Sequence, residues 1–217
     1  MIISRELANR YSYNNQSHKV SNSIPQIDDL YVDFLHPNPN INKKAVIKMA
    51  KYWPEESVRR LIDNFSHQDL KIRRKSVKAF EFFGENAIDS LIEMYLLNLN
   101  ECISVCCLKA LVQIVSRRSY DTFPGSLNQV IREGINSQNA QIILSLVCLV
   151  RQIGKSGLDI LFDMANSSNI LMAKAAITAI GEINDPKVEL FLQSIITDHT
   201  RDDFLISGAT YSLENYK

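Results

Sequence analysis

The sequence predicts an all-α fold, a solenoid of about six helical hairpins wound into a right-handed superhelix. Three observations predict it. Apolar residues recur at helical spacing along almost the whole chain, and no stretch alternates convincingly with period two. The 217 residues include only seven glycines and six prolines, too few for the many tight turns of a β-sandwich or barrel. Finally, one pattern that begins with Asn or Asp occurs six times.

That repeated pattern marks the start of the second helix of each hairpin. Asn and Asp side chains accept hydrogen bonds from the free backbone N–H groups of a helix start. Apolar residues follow 3, 7, 11 and 14 positions later, a spacing that puts them on one helix face. The position at plus seven is mostly small, but it is Leu146 in the fourth repeat, where looser or shifted packing is expected. The six anchors are Asn38, Asp69, Asn100, Asn139, Asn169 and Asp202.

An apolar first helix precedes each anchor. Pro39, Pro54 and Pro186 each stand in a first helical turn, where a missing N–H costs nothing. The anchors lie 30 to 33 residues apart, except that an insertion around 119–125 lengthens one interval to 39. One hairpin cannot bury its own apolar faces, so stacking must bury them, as in HEAT and armadillo arrays. The predicted domains are a flexible polar N-terminal arm, 1–23, and the HEAT-repeat solenoid, 24–217.

Composition and motifs disfavour several classes of function. The 24 Lys and Arg are balanced by 24 Asp and Glu, which is unlike a wholly basic nucleic-acid binder. The sequence has no phosphate-binding glycine loop, no zinc spacing of His and Cys, and no nucleophile elbow. No metal site is therefore expected, and the catalytic residues, if any, stay unknown. The four cysteines are interpreted as small buried hydrophobes. No targeting signal or membrane-spanning stretch is recognised, so a soluble intracellular protein is expected.

A candidate binding surface comes from the non-core positions of the second helices, which line the inside of such arrays. From residue 43 to residue 78 there are eleven Lys and Arg against four acids. The same positions in repeats three and four are apolar, and exposed apolar patches usually mark binding surfaces. A merely solvated helix face, or a patch covered by neighbouring turns, stays open as the alternative. The predicted basic ledge is Lys43, Lys44, Arg74, Lys75 and Lys78, and the predicted apolar floor is Val105, Cys106, Leu144 and Cys148.

An aromatic junction joins the first two repeats. Tyr52 and Trp53 are predicted to end the second helix of repeat one, and Pro54 to open the next hairpin. Trp53, the only tryptophan, is either a packing staple or an aromatic wall for a ligand or partner. Both Tyr52 and Trp53 are therefore candidate binding residues.

Several segments are more specific than a generic helical repeat. They are NPN at 38–40, AVIKMAKYWP at 45–54 continued by EESVRRLI at 55–62, IRRKSVKAF at 72–80, and VCCLKAL at 105–111. In these segments the chain resembles the E/F-type phycobiliprotein lyases, HEAT-repeat proteins, and within them the smaller, F-like subunits of the phycoerythrin-associated branch. The resemblance covers about residues 24–217, and its strongest piece is the junction YWPEES at 52–57.

The resemblance implies a subunit of, or a chaperone for, a lyase that attaches a phycoerythrobilin-type linear tetrapyrrole to a cysteine of a phycobiliprotein. The bilin is then a transferred substrate, no cofactor is tightly bound, and the acceptor thiol lies on the client. Bilin propionates call for Arg or Lys, the conjugated body for an apolar groove, and the pyrrole N–H groups for a carboxylate, for which Glu81 and Glu85 are candidates. The implied partners are an E-like lyase subunit in a heterodimer and the phycobiliprotein client, without nucleic acid or membrane. The implied location is the cytoplasm or plastid stroma of a phycobilisome-containing cell.

Two other functions stay open on the sequence. One is a non-enzymatic HEAT-repeat scaffold that binds another protein. The other is a nucleic-acid-binding HEAT-like protein such as a DNA-repair glycosylase, which only the basic stretch 43–78 supports. The sequence does not distinguish a catalytic lyase subunit from a supporting one.

Overall fold

The computed structural model describes residues 24–97 and 100–216, and the regular secondary structure in these ranges is entirely helical. Twelve α-helices pair into six consecutive hairpins, so the predicted all-α solenoid is confirmed. The predicted arm, 1–23, lies outside the described residues. The first helices of the hairpins are α1 (Ile27–Leu35), α3 (Pro54–Asp63), α5 (Ile88–Leu97), α7 (Asn128–Gly134), α9 (Leu158–Ala165) and α11 (Pro186–Thr197). The second helices are α2 (Pro39–Tyr52), α4 (Leu70–Ala79), α6 (Glu101–Val115), α8 (Ala140–Ile153), α10 (Ile170–Gly181) and α12 (Asp203–Glu214).

All six predicted anchors are the N-caps of second helices. In each, a side-chain oxygen accepts from the backbone N–H two residues later, over 2.7 to 3.1 Å. Asn169 also accepts from the N–H of Met172, at 3.2 Å. Each cap satisfies donors that have no partner inside the helix. The prolines agree as well, since Pro39, Pro54 and Pro186 are the first residues of α2, α3 and α11.

The core follows the predicted register closely. Every residue seven positions after an anchor is buried, and so is every residue at plus eleven except Leu213, which is half-buried. In the second hairpin the Phe80 ring lies 5.8 Å from that of Phe65 and 5.9 Å from that of Phe83. Tyr52 is the exception at plus fourteen, because α2 ends there and 37% of the residue stays exposed. The rule that position plus fourteen lies on the buried face therefore fails in the first hairpin.

The fourth repeat has room for its large residue at plus seven, Leu146, because the facing helix carries a glycine. Leu146 is fully buried, so the expected loosening is not seen. A Cβ atom at Gly134 of α7 would lie 2.9 Å from Leu146 Cδ2 and 3.0 Å from the Tyr95 hydroxyl. The glycine therefore supplies the space that small residues supply at plus seven in other repeats.

The four cysteines and the longest apolar stretch lie in the helices of hairpins three to five. Cys106 and Cys107 are buried as predicted, Cys148 is half-buried, and Cys102 is exposed, contrary to the prediction. The helical stretch 140–165 is long and apolar enough to cross a membrane by length and composition alone, which the sequence reading had not recognised. More than half of its most apolar window, 56%, is buried against other helices, as in the core of a repeat array.

Candidate functional site

A groove of about 700 Å³ lies between α4 and α6, the second helices of hairpins two and three. We call it the basic groove, because four cations line it together with an apolar wall. The cations are Arg73, Arg74, Lys78 and Lys109, and the apolar or thiol-bearing residues are Leu70, Val77, Cys102, Val105 and Cys106. The groove thus joins part of the predicted ledge to part of the predicted floor.

A second cavity of about 370 Å³ adjoins the basic groove and continues from α6 to α8. The two share Val77, Lys109, Gln113 and Gln141. We call this cavity the apolar extension, since its further lining is Val112, Leu144, Ser145 and Cys148. Together they form one depression that is basic over α4 and becomes apolar toward α8.

Arg74 and Lys78 on α4 are available to a ligand, as is the exposed Lys109 on α6. Arg74 and Lys78 lie one helical turn apart, and both are exposed. Within 24–97 and 100–216 neither side chain has an ion pair or hydrogen bond. Glu101, the acid on the groove wall, accepts from the Asn139 side-chain amide at 2.7 Å and keeps its negative charge. Four cations line the groove against this one acid, so an anion entering the groove still meets a net positive charge.

Two other cations of α4 have structural partners instead. Arg73 Nη1 donates to the backbone oxygens of His67, at 2.5 Å, and Gln68, at 3.1 Å. Lys75 Nζ donates to the backbone oxygens of His36, at 2.9 Å, and Leu35, at 3.3 Å. Lys75 thereby satisfies carbonyl groups at the end of α1 and lies outside the basic groove. Its assignment to a ligand-binding ledge was wrong in geometry, since the amine binds the preceding hairpin.

The remaining members of the ledge lie on a different surface. Lys43 and Lys44 are exposed on α2, in the first hairpin, and do not line the basic groove. The repeat register placed them correctly on non-core positions. It could not show that one hairpin separates them from the apolar floor.

The floor is more deeply covered than expected. Val105 and Cys106 are each only 7% exposed, because α4 packs beside α6, so the prediction that they form an exposed patch was wrong. Leu144 is 48% exposed and Cys148 is half-buried. Burial, with Cys102 alongside, raises the pKa of the Cys106 thiol to about 11. Burial also raises the pKa of the Cys107 thiol to about 12, so both thiols are protonated at neutral pH.

The aromatic junction fits the packing interpretation of Trp53. The Trp53 indole N–H donates to the backbone oxygen of Pro25 at 2.9 Å, and its ring packs partly buried against the core. Tyr52 is partly exposed, with Lys51 Nζ 4.9 Å from its ring centroid. Neither residue lines the basic groove.

The carboxylates suggested for pyrrole N–H groups already have partners. Glu81 pairs with Arg117, and Glu85 pairs with Arg118. The sequence reasoning instead overlooked Glu101, Lys109 and Gln113, which line the basic groove. Lys109 and Gln113 stand nine and thirteen residues after the anchor Asn100, so the repeat register itself was the signal that could have found them.

Comparison with known proteins finds relatives and repeat folds. No family model matches the chain. Among solved structures, a designed armadillo repeat protein in complex with the peptide (KR)4 aligns with 89% of this chain and all of its own chain. Its TM-score is 0.42 and its identity is 11%, too low to add to the fold described above.

Two curated proteins are similar in sequence over most of the array. One is the "Bilin biosynthesis protein CpeZ" of Synechococcus sp. (strain WH8020), 25% identical over 168 residues, which are 75% of this chain and 90% of the relative. The other is the "Uncharacterized phycocyanin operon protein Z" of Pseudanabaena tenuis (strain PCC 7409), 23% identical over 86% of this chain and 93% of the relative. These relatives support the resemblance to the E/F-type phycobiliprotein lyases over most of the chain, and the helical-repeat architecture agrees with it.

Proposed function

We propose that the chain helps to attach a linear tetrapyrrole to a cysteine of a phycobiliprotein, as a subunit of a bilin lyase or as its chaperone. The similarity to a relative named as a bilin biosynthesis protein supports a role in bilin biosynthesis. The observation that carries the proposal is the basic groove with its apolar extension, which offers the exposed cations Arg74, Lys78 and Lys109 beside an apolar wall. A phycoerythrobilin-type bilin, an elongated apolar dianion, has complementary chemistry.

In this proposal Arg74 and Lys78 bind the propionate groups. The planar guanidinium of Arg74 can hold one carboxylate by two parallel hydrogen bonds, while Lys78 acts as a mobile point charge. The conjugated body then lies along Val77 and Val105 toward Leu144. The combined depression is large enough for a ligand of this class, since small-molecule sites commonly enclose about 300–1,000 Å³.

In this scheme the chain binds and orients the bilin, and the client supplies the nucleophile. The thiols of Cys106 and Cys107 are buried and protonated at neutral pH, so they are poor nucleophiles. The acceptor thiol belongs to the client. The bilin is a transferred substrate, and an E-like subunit completes the lyase as a heterodimer in the cytoplasm or plastid stroma.

The experiment measures chromophore attachment with Arg74 variants. A client phycobiliprotein is co-expressed with bilin synthesis, the partner subunit and this chain, and its absorbance and zinc-induced fluorescence give the yield. Arg74→Lys is expected to lower the yield and Arg74→Glu to lower it further, with unchanged circular dichroism. Arg132→Glu is the matched control, because Arg132 is an exposed arginine on α7, away from the groove. Full yield from folded Arg74→Glu protein contradicts the assignment of the groove.

A direct titration separates the bilin site from a pure scaffold function. Free phycoerythrobilin is added to the purified chain, and its absorbance spectrum reports binding. We expect saturable binding that weakens in Arg74→Glu and is unchanged in Arg132→Glu. Absence of bilin binding by the purified heterodimer, with client binding intact, favours the non-enzymatic scaffold.

A further inference from the structure

Charge is divided between the two helix layers in the N-terminal half. The second helices α2 and α4 carry four lysines and five Lys or Arg residues, respectively, and no acid. The first helices α1 and α5 carry three and two acids and no Lys or Arg, and α3 carries three acids and two arginines. The chain as a whole has no net charge. One face of this half is therefore positive and the opposite face negative, an arrangement that orients a charged partner as it approaches.

The four lysines of α2 form a compact surface that the proposed bilin site does not use. Its members lie in two rows of residues spaced four apart, Lys43–Ile47–Lys51 and Lys44–Lys48–Tyr52. All six are exposed, and Ile47 is 44% exposed in the middle of the first row. We call this surface the lysine face.

The lysine face is left uncompensated by the chain itself. Among the described residues, none of its four amines makes an ion pair, and α2 contains no acid. Like charges three or four residues apart on a helix destabilise it by a few tenths of a kcal/mol per pair. Within the described residues only Lys51 gains something in return, from the Tyr52 ring and the end of the helix, whereas an acidic partner would compensate all four lysines.

We propose that the lysine face docks an acidic protein surface with a small apolar centre, and that this docking is separate from ligand binding in the basic groove. Acidic side chains would pair with the lysines, while Ile47 and the Tyr52 ring contact the apolar centre. The inference rests on the proposed function only for the identity of the partner, the acceptor phycobiliprotein.

Charge and shape favour a protein over other polyanions. A nucleic-acid site needs a continued track of cations along the backbone, but the second helices α8 and α10 each carry a single Lys or Arg, and α12 carries none. A membrane-surface helix needs a broad apolar face, whereas the lysine face offers Ile47 and Tyr52 alone. An acidic, partly apolar protein patch matches what is present.

The position of the lysine face also suits delivery of a client to the groove. The helices α2 and α4 belong to consecutive hairpins and to the same layer, and the basic groove lies on the far side of α4. A client held on α2 therefore lies beside a ligand held between α4 and α6.

The test measures docking apart from chemistry. Apo-phycocyanin and apo-phycoerythrin subunits, free of bilin, are titrated with the purified full chain by fluorescence anisotropy, at about 50 mM and about 300 mM salt. We expect binding of one or both that weakens with salt. Lys44→Glu/Lys48→Glu should raise Kd at least about tenfold, because two attractive contacts become repulsive.

Matched variants make the result specific. Arg132→Glu/Lys155→Glu imposes the same charge change on exposed residues of hairpins four and five and should leave Kd within about twofold. Arg74→Glu should also leave docking within about twofold while it removes chromophore attachment, so the docking and bilin hypotheses fail separately. Ile47→Ser should weaken docking without changing its salt dependence. Circular dichroism verifies the fold of each variant.

Three outcomes overturn the proposal. The first is equal apoprotein binding by wild type and the folded Lys44→Glu/Lys48→Glu protein. The second is no binding of either apoprotein at about 100 μM, weaker than most specific transient contacts. The third is tighter binding, lost in the same variant, to a DNA duplex or to phosphatidylserine vesicles, which assigns the lysine face to a general polyanion or a membrane surface.

Discussion

Hairpins one and two and hairpins three to five are built on one register but present different surfaces. In both regions an Asn or Asp caps each second helix, and the residues seven and eleven positions later are buried. The exposed positions carry lysine and arginine on α2 and α4, whereas Leu144 and Cys148 occupy the same positions on α8. The difference teaches that the stacking positions determine the fold, while the positions between them can differ in charge and polarity without changing it.

The largest expected effect tests whether the two regions share one core. Phe80→Ala in hairpin two removes a fully buried ring and should cost roughly 3–5 kcal/mol in unfolding free energy. Leu161→Ala in hairpin five should cost roughly 2–5 kcal/mol, since that side chain is buried to the same extent. Urea unfolding followed by circular dichroism measures both. Leu70→Ala, at an exposed position, is the control. If only one of the two substitutions lowers the unfolding free energy this much, the two regions do not share one equally packed core.

Thiol reactivity sharpens the description of the apolar region. Cys106 has its pKa raised from 9.0 to about 11, so at neutral pH its thiolate fraction is roughly 100-fold below that of an ordinary thiol. Exposed Cys102 should therefore react first with iodoacetamide, and Cys106 and Cys107 much later, with the Cys106 rate rising as the pH is raised toward 11. Mass spectrometry of timed samples gives the order, and Cys102→Ser identifies the fast site. Rapid labelling of Cys106 at pH 7 contradicts the burial of this thiol beneath α4.

Helix capping should contribute about equally to the unfolding free energy in the two regions, and less than the buried core side chains do. Asp69→Ala and Asn169→Ala each remove an acceptor for backbone N–H groups at the start of α4 and α10. Each should cost about 1 kcal/mol in unfolding free energy. Asn169→Asp keeps the acceptor and is expected to stay near wild type. If Asn169→Ala and wild type unfold with equal free energy, the cap at the repeat anchor does not stabilise the fold.

The smallest effect concerns the ion pairs of Glu56 on α3, in hairpin two. Hydrogen bonds from Arg60 first, and Arg59 second, hold the pKa of Glu56 below its usual 4.5. Because the folded-state pKa is lowered, this contribution is present above pH 4.5 and is lost as the pH falls through the folded value. Glu56→Gln should thus be slightly less stable than wild type at pH 7, and the difference should shrink on acidification. Urea midpoints at several pH values measure it, and a gap that widens in acid contradicts the assignment.

Local rules made the fold predictable from sequence, and cross-hairpin contacts limited what they revealed of the site. Helix caps and apolar periodicity depend on near neighbours, so all six anchors and the hairpin order follow from the sequence. The partner of Lys75 lies in the preceding hairpin, and the cover over Val105 comes from α4. Gly134, which makes room for Leu146, lies on a different helix. The repeat register predicts which face of a helix is exposed, but it does not predict how close the residues of the neighbouring hairpin lie to that face.

The attachment of Lys75 to the end of α1 has a mechanical consequence. A stack of hairpins behaves as a spring, because each turn touches only its neighbours. The Lys75 amine and the half-buried Tyr31 hydroxyl, which donates to Asn64 at 2.8 Å, join the first hairpin to the second, and the Trp53 indole at their junction donates to Pro25, just before α1. These contacts fix α4 relative to the first hairpin. A client docked on the lysine face, as proposed, is thereby held at a fixed distance from the wall of the groove that α4 forms.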